Sequence, residues 1–168
     1  MARLQVATED TVKAIGGTQD GAILYAQGAS GMYLSVDSGA TWRKISPLPA
    51  PTAANPNILV TVNSIGVDAI SPSILLVATN TGLYFSSDAG ATWGLFDTGL
   101  PVSASGYVSV TSVFINPNNH LIAYAVTDQN NYLIPGYLFK SVDAGNTWTQ
   151  LNPAYPASHP RRPLPCRT

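Results

Sequence analysis

Charge is what this chain of 168 residues has least of: Asp, Glu, Lys and Arg make up 10% of it, against a usual quarter. The net charge is −1, so no basic surface steers the chain toward nucleic acid or an anionic membrane. Its one basic cluster, Arg161, Arg162 and Arg167, lies in the stretch PASHPRRPLPCRT, whose prolines favour an extended tail over 152–168. Cysteine occurs once, at Cys166, which rules out an internal disulfide framework and a cysteine-built metal site. Glutamate also occurs once, at Glu9. The opening MARLQVATEDTVKAIGG has no apolar run long enough for a signal peptide or a membrane span. Apolar residues nowhere recur at helical spacing.

What remains is a chain that is 45% hydrophobic and otherwise rich in Ser, Thr, Asn, Gly and Pro. That mixture suits short strands joined by many turns. Within it an octet appears three times: SVDSGATW at 35–42, SSDAGATW at 86–93 and SVDAGNTW at 141–148. The aspartates Asp37, Asp88 and Asp143 are 51 and 55 residues apart.

The repetition extends upstream of each octet. TVKAIGG, TVNSIGV and VTSVFIN open the three units, and AILYAQ, ILLVAT and LIAYAV follow; each reads as a strand. GMYLSVD, GLYFSSD and GYLFKSVD lead into the octets, and TWRKIS, TWGLFD and TWTQLN leave them. Four short antiparallel strands in about fifty residues are the signature of a β-propeller blade. The expectation is an all-β chain of three four-stranded blades, over about 10–46, 58–97 and 108–151, with the octet as the turn between the third and fourth strands.

The pattern Ser-x-Asp-x-Gly-x-Thr-Trp resembles the Asp box, or BNR repeat, of sialidases, xyloglucan-cleaving glycoside hydrolases, sortilin-like receptors and photosystem II assembly factors. The resemblance covers residues 10 to 151. It implies a propeller scaffold, here an incomplete ring or a fragment of a larger one, and an extracellular or periplasmic setting. It implies no single activity, because one scaffold carries unrelated functions. A complete sialidase site, which resembles three arginines with a Tyr–Glu pair and an acid Asp, cannot be assembled from Glu9 and the two arginines outside the tail, Arg3 and Arg43.

The octet residues read as structural. A tight turn strands backbone N–H groups, and a carboxylate can accept two or three of them; Asp37, Asp88 and Asp143 are placed to do so. Gly39, Gly90 and Gly145 fall where positive φ is needed. Trp42, Trp93 and Trp148 offer apolar area for packing against the next unit. One carboxylate per octet is too few for calcium, and no cofactor or metal is expected.

In a propeller the turns between strands one and two and between three and four share one face. The other face carries the remaining loops, and Asp-box proteins that act on ligands resemble one another in using it. Here that second face comprises 28–30, 79–82, the long loop TDQNNYLIPGY at 127–137, and the connections 46–57 and 97–107. Long loops on a rigid scaffold tend to carry function. The candidate ligand residues are Asp97, Tyr107, Asp128, Asn130, Asn131 and Tyr132, with Asp97 and Asp128 as a carboxylate pair and the tyrosines as sugar platforms. The plainer reading makes Asp97 a turn former in FDTGLP and Asp128 a solvated loop residue. His120 and His159 are expected to be solvated, neither with a partner that suggests a triad or a metal site.

The function expected is a non-catalytic binding or scaffold module presenting loops to a protein partner or a glycan; the alternative is a fragment of a sialidase-like or xyloglucanase-like hydrolase. Three blades do not close a ring, so another chain or a second copy is expected to cover the open blade edges. RLQVAT at 3–8 reads as a spare strand for a neighbouring blade.

Overall fold

The computed structural model describes residues 11–49, 58–103, 106–127 and 137–151. Among these residues there are twelve strands and no helix, arranged as three four-stranded antiparallel sheets. The first sheet holds β1 (Ala14–Gly17), β2 (Leu24–Gly28), β3 (Gly31–Ser35) and β4 (Arg43–Lys44). The second holds β5 (Val62–Val67), β6 (Leu75–Thr79), β7 (Gly82–Ser86) and β8 (Gly94–Leu95). The third holds β9 (Val110–Ile115), β10 (Ala123–Thr127), β11 (Tyr137–Ser141) and β12 (Thr149–Gln150). Each sheet is ordered as the chain runs, and each octet bridges its third and fourth strands. RLQVAT and the tail lie outside the described residues.

The fourth strands have only two residues apiece, shorter than TWRKIS and its copies suggest. The octet consumes the threonine and tryptophan before the ladder can begin. One further backbone bond extends each ladder: Ile45 N–H to Met32, Phe96 N–H to Leu83 and Leu151 N–H to Leu138.

The blades stack through their first strands, β1 against β5 and β5 against β9. Two apolar layers result. Tyr25, Met32, Leu34 and Ile45 of the first blade meet Ile65, Leu75, Val77 and Tyr84 of the second. Leu76, Ala78 and Leu83 on the opposite face of the second blade meet Val113, Ile115, Ala125, Phe139 and Trp148 of the third. Burial follows position in the stack. β6, covered on both sides, is buried at every residue; its residues 75–78 are apolar as a doubly covered strand requires, and the closing Thr79 donates its hydroxyl to the Gly82 carbonyl. β10, covered on one side, alternates, with Tyr124 and Val126 on the uncovered face.

Close approach between blades depends on two glycines. A Cβ on Gly16 would strike the backbone oxygen of Ile65, and one on Gly66 would lie 3.4 Å from Val113 and 3.5 Å from Ile115. The next blade's first strand thus sits directly over these positions.

The tryptophans correct one expectation. They pack toward the preceding blade, not the next. Trp93 donates its indole N–H to the Ser46 carbonyl at 3.1 Å, and Trp148 donates to the Phe96 carbonyl at 2.9 Å. Trp42, with no described blade before it, donates to Gly39 of its own turn at 3.1 Å. The cause is the strand order: the octet closes a blade on the side where the earlier blade's last strand ends.

Candidate functional site

The three octets share one hydrogen-bond pattern. In the second, Asp88 Oδ1 accepts from the Thr92 amide at 2.8 Å and the Ser86 hydroxyl at 2.8 Å, while Oδ2 accepts from the Thr92 hydroxyl at 2.6 Å. Asp37 with Ser35 and Thr41, and Asp143 with Ser141 and Thr147, repeat it. The carboxylate therefore takes one backbone amide and two hydroxyls, where two or three amides were expected. The serine takes the others: Ser86 Oγ accepts from Gly90 N–H at 2.9 Å and Asp88 N–H at 3.3 Å.

Gly39, Gly90 and Gly145 have φ of 86°, 80° and 92°. The residues before them, Ser38, Ala89 and Ala144, are also left-handed, at 56°, 58° and 60°. That conformation costs a non-glycine residue about 1–2 kcal/mol. Each of these residues also donates its amide to the first turn of the same blade: Ser38 N–H to Ala22, Ala89 N–H to Ser73 and Ala144 N–H to Leu121. These bonds put the two kinds of turn on one face.

The donors lower the octet carboxylates. The Thr41 hydroxyl, the Thr41 amide and the Ser35 hydroxyl bring Asp37 to about 2, and Thr92 and Ser86 do the same for Asp88. Asp143 is lowered chiefly by the Thr147 hydroxyl, and Asp20 by the Thr18 hydroxyl. A carboxylate whose pKa is lower folded than unfolded stabilises the fold above its ordinary 3.8, and that contribution is lost as pH falls toward the folded value. Denaturant unfolding is thus expected to show stability declining from about pH 4 to about pH 2. The triple change of Asp37, Asp88 and Asp143 to asparagine should flatten that decline. An equally steep decline in the triple variant would assign acid sensitivity elsewhere.

On the other face the structure describes Asp97 and Tyr107. Asp97 is half-buried, its carboxyl raised above the ordinary range by that burial, and its backbone carbonyl accepts from Leu100 N–H at 2.9 Å, closing a turn. Its Oδ2 approaches the turn between β6 and β7, 3.7 Å from where a Gly82 Cβ would stand. Tyr107 is 6% exposed, and its carbonyl accepts from Ser103 N–H. A ring so buried has no open face for a sugar, which corrects the platform role. Asp128, Asn130, Asn131 and Tyr132 lie outside the described residues.

The His120 side chain is 42% exposed, and one of its nitrogens is turned toward a buried carboxylate of the preceding blade. Its Nδ1 lies 3.8 Å from Oδ2 of Asp68, a residue with no solvent exposure. Asp68 Oδ1 accepts from the Ile70 amide at 2.8 Å and the Ser71 amide at 3.4 Å. The contact crosses from the first turn of the second blade to that of the third. Asp68 occupies the place of Thr18 and Asn116, which also bond into their own turns. A unit-by-unit alignment through the first turns is the signal that picks it out. Among the described residues no three His, Cys, Asp or Glu side chains group to hold a metal ion, and no helix is long and apolar enough to cross a membrane.

No protein-family model matches the chain. Its sequence is similar to a probable oligoxyloglucan-reducing end-specific xyloglucanase of Neosartorya fischeri, 29% identical over 123 residues, which are 73% of this chain and 14% of that protein. Its structure is similar to the GH74 enzyme of Niastella koreensis, with a TM-score of 0.60 and 22% identity over 84% of this chain and 22% of the other. An ancestral GH74 enzyme gives 0.62 and 18% identity over 83% and 18%. YCF48 from Cyanidioschyzon merolae gives 0.57 and 18% identity over 88% and 41%. The chain spans less than half the length of each. Three four-stranded sheets in sequential order, matched onto part of these larger propellers, make the chain a run of three β-propeller blades.

Proposed function

We propose that this chain is a non-catalytic propeller module that binds a glycan of the xyloglucan class through the face carrying Asp97, with the octets acting as structural Asp boxes. The likeness to a xyloglucanase supports the ligand class. The observation that carries the non-catalytic reading is how the octet carboxylates are used. Asp37, Asp88 and Asp143 each spend both oxygens on donors of their own turn. Asp97 is a different case: half-buried, it can orient a hydroxyl-bearing ligand beside the Gly82 turn.

Titration calorimetry with xyloglucan oligosaccharides, with cello-oligosaccharides for comparison, tests the proposal. Saturable binding to xyloglucan fragments, weakened by Asp97→Asn, with no release of reducing ends, is the expected result. Absence of binding to either sugar would sink the glycan reading and favour a protein partner.

A second reading, a piece of a glycoside hydrolase, draws on the raised carboxyl of Asp97, since hydrolysis needs one carboxyl that holds its proton and a second carboxylate across the bond. Turnover that disappears in Asp97→Asn would establish it in place of the first.

A further inference from the structure

The strand registers show where the three blades are not equivalent. Gly16 pairs with Tyr25, Gly66 with Leu76 and Phe114 with Tyr124, so these three hold one place in their blades. Gly17, Val67 and Ile115 hold the next, paired with Leu24, Leu75 and Ala123. Ile15, Ile65 and Val113 hold the one before.

In the interface between the second and third blades, Gly66 lies under Val113 and Ile115. A small residue on the outgoing face thus meets two branched residues on the incoming face. The outgoing face of the third blade replaces that glycine with Phe114, whose ring sits 6.5 Å from that of Tyr124 and is 55% exposed. A further blade of the same design cannot seat there, because its branched pair would collide with the phenyl ring. The incoming face of the first blade carries the opposite exchange. Ile15 is retained, 60% exposed, but Gly17 stands where Val67 and Ile115 stand in the other blades, beside the apolar side chain of Leu24. One face has gained a ring at the position where the other has lost a branched side chain.

We infer that the outgoing face of the third blade docks on the incoming face of the first blade of a second copy of this chain. Phe114 then lies over Gly17 and against Ile15, as Gly66 lies under Ile115 and Val113. Done twice about a two-fold axis, the contact closes a ring of six blades, within the usual four to eight. The edges of both faces fit the same arrangement. Trp42 takes the place of Trp93 and Trp148, and in the dimer its indole N–H turns from Gly39 to the carbonyl of the partner copy's Leu151, as that of Trp148 reaches Phe96. Lys140 takes the place of Phe85, through its pairing with Tyr124, on the same outgoing face. The inference rests on the blade geometry alone and is independent of what the other face binds.

Light scattering on the full chain after size exclusion tests it. The expected mass is twice 17.6 kDa, returning to 17.6 kDa in Phe114→Lys and in Ile15→Lys. Both residues are exposed within one chain, so each variant should keep the far-UV circular dichroism of the parent. Val36→Lys, at an exposed turn away from both faces, should remain dimeric. In a Cys166→Ser background, Ile15→Cys with Phe114→Cys should oxidise to a single covalent dimer. A monomer at all concentrations, covered by its own terminal segments or by nothing, overturns the inference. So does a dimer that survives both lysine variants, or a cross-linked ladder of trimers and longer species, which would mean open head-to-tail growth.

Discussion

Replacing Leu76 with alanine is expected to lower stability by about 2–5 kcal/mol, the range for emptying a well-packed leucine site. Leu76 is almost wholly buried on β6, on the face of the second blade that meets the third. Its methyls lie against the octet of the third blade, 3.1 and 3.4 Å from where a Gly145 Cβ would stand. The site has little means of collapsing, because Leu76 is held between a ladder on either side and the Gly145 turn above. The change therefore removes contacts from two blades at once. Urea unfolding followed by tryptophan emission reads the loss, and Trp148, in the same apolar layer, reports the interface directly. Leu95→Ala, at an exposed leucine, should change stability by no more than about 0.5 kcal/mol. If Leu76→Ala cost as little as Leu95→Ala, the blades would not be held by this layer.

Much of this architecture is legible in the sequence because the octet is self-contained. Serine, aspartate, glycine and threonine bond to one another within eight residues, so their spacing states the turn without knowledge of its surroundings. The strands on either side follow from alternation and the turn. What is not legible depends on register and on neighbours. Aligning TVKAIGG, TVNSIGV and VTSVFIN by their first residues sets Phe114 over Ile15 and Ile65, on the incoming face. The ladders set it over Gly16 and Gly66, on the outgoing face. A slip of one residue moves a side chain to the other side of a sheet, and no local signal in VTSVFIN fixes it. Asp68 and His120 escape notice for a related reason: they are 52 residues apart and meet only because consecutive blades stack. Asp97 shows the opposite balance. FDTGLP states its turn, and the turn is present, but its half-burial comes from the β6–β7 turn beside it.

Ser86→Ala tests the octet where its chemistry is least obvious. The aspartate draws the eye, yet the serine is the buried member of the pair. Its oxygen accepts from the amides of Gly90 and Asp88, and its hydroxyl proton goes to Asp88 Oδ1 at 2.8 Å. Alanine keeps the strand and nearly the same volume, so no cavity term arises. It leaves the buried Gly90 amide without its acceptor, which costs about 1–3 kcal/mol. It also removes one of the donors that lower Asp88, so the Asp88 carboxyl should titrate closer to its ordinary 3.8. Amide exchange measured by NMR separates this from general loosening: Gly90 should exchange faster, while Gly39 and Gly145, held by Ser35 and Ser141 in the other blades, should not. Unchanged protection at Gly90 would mean that the turn finds another acceptor and that the serine is dispensable. Equal acceleration at all three glycines would mean that the octets unfold as one unit across the blades instead of one by one.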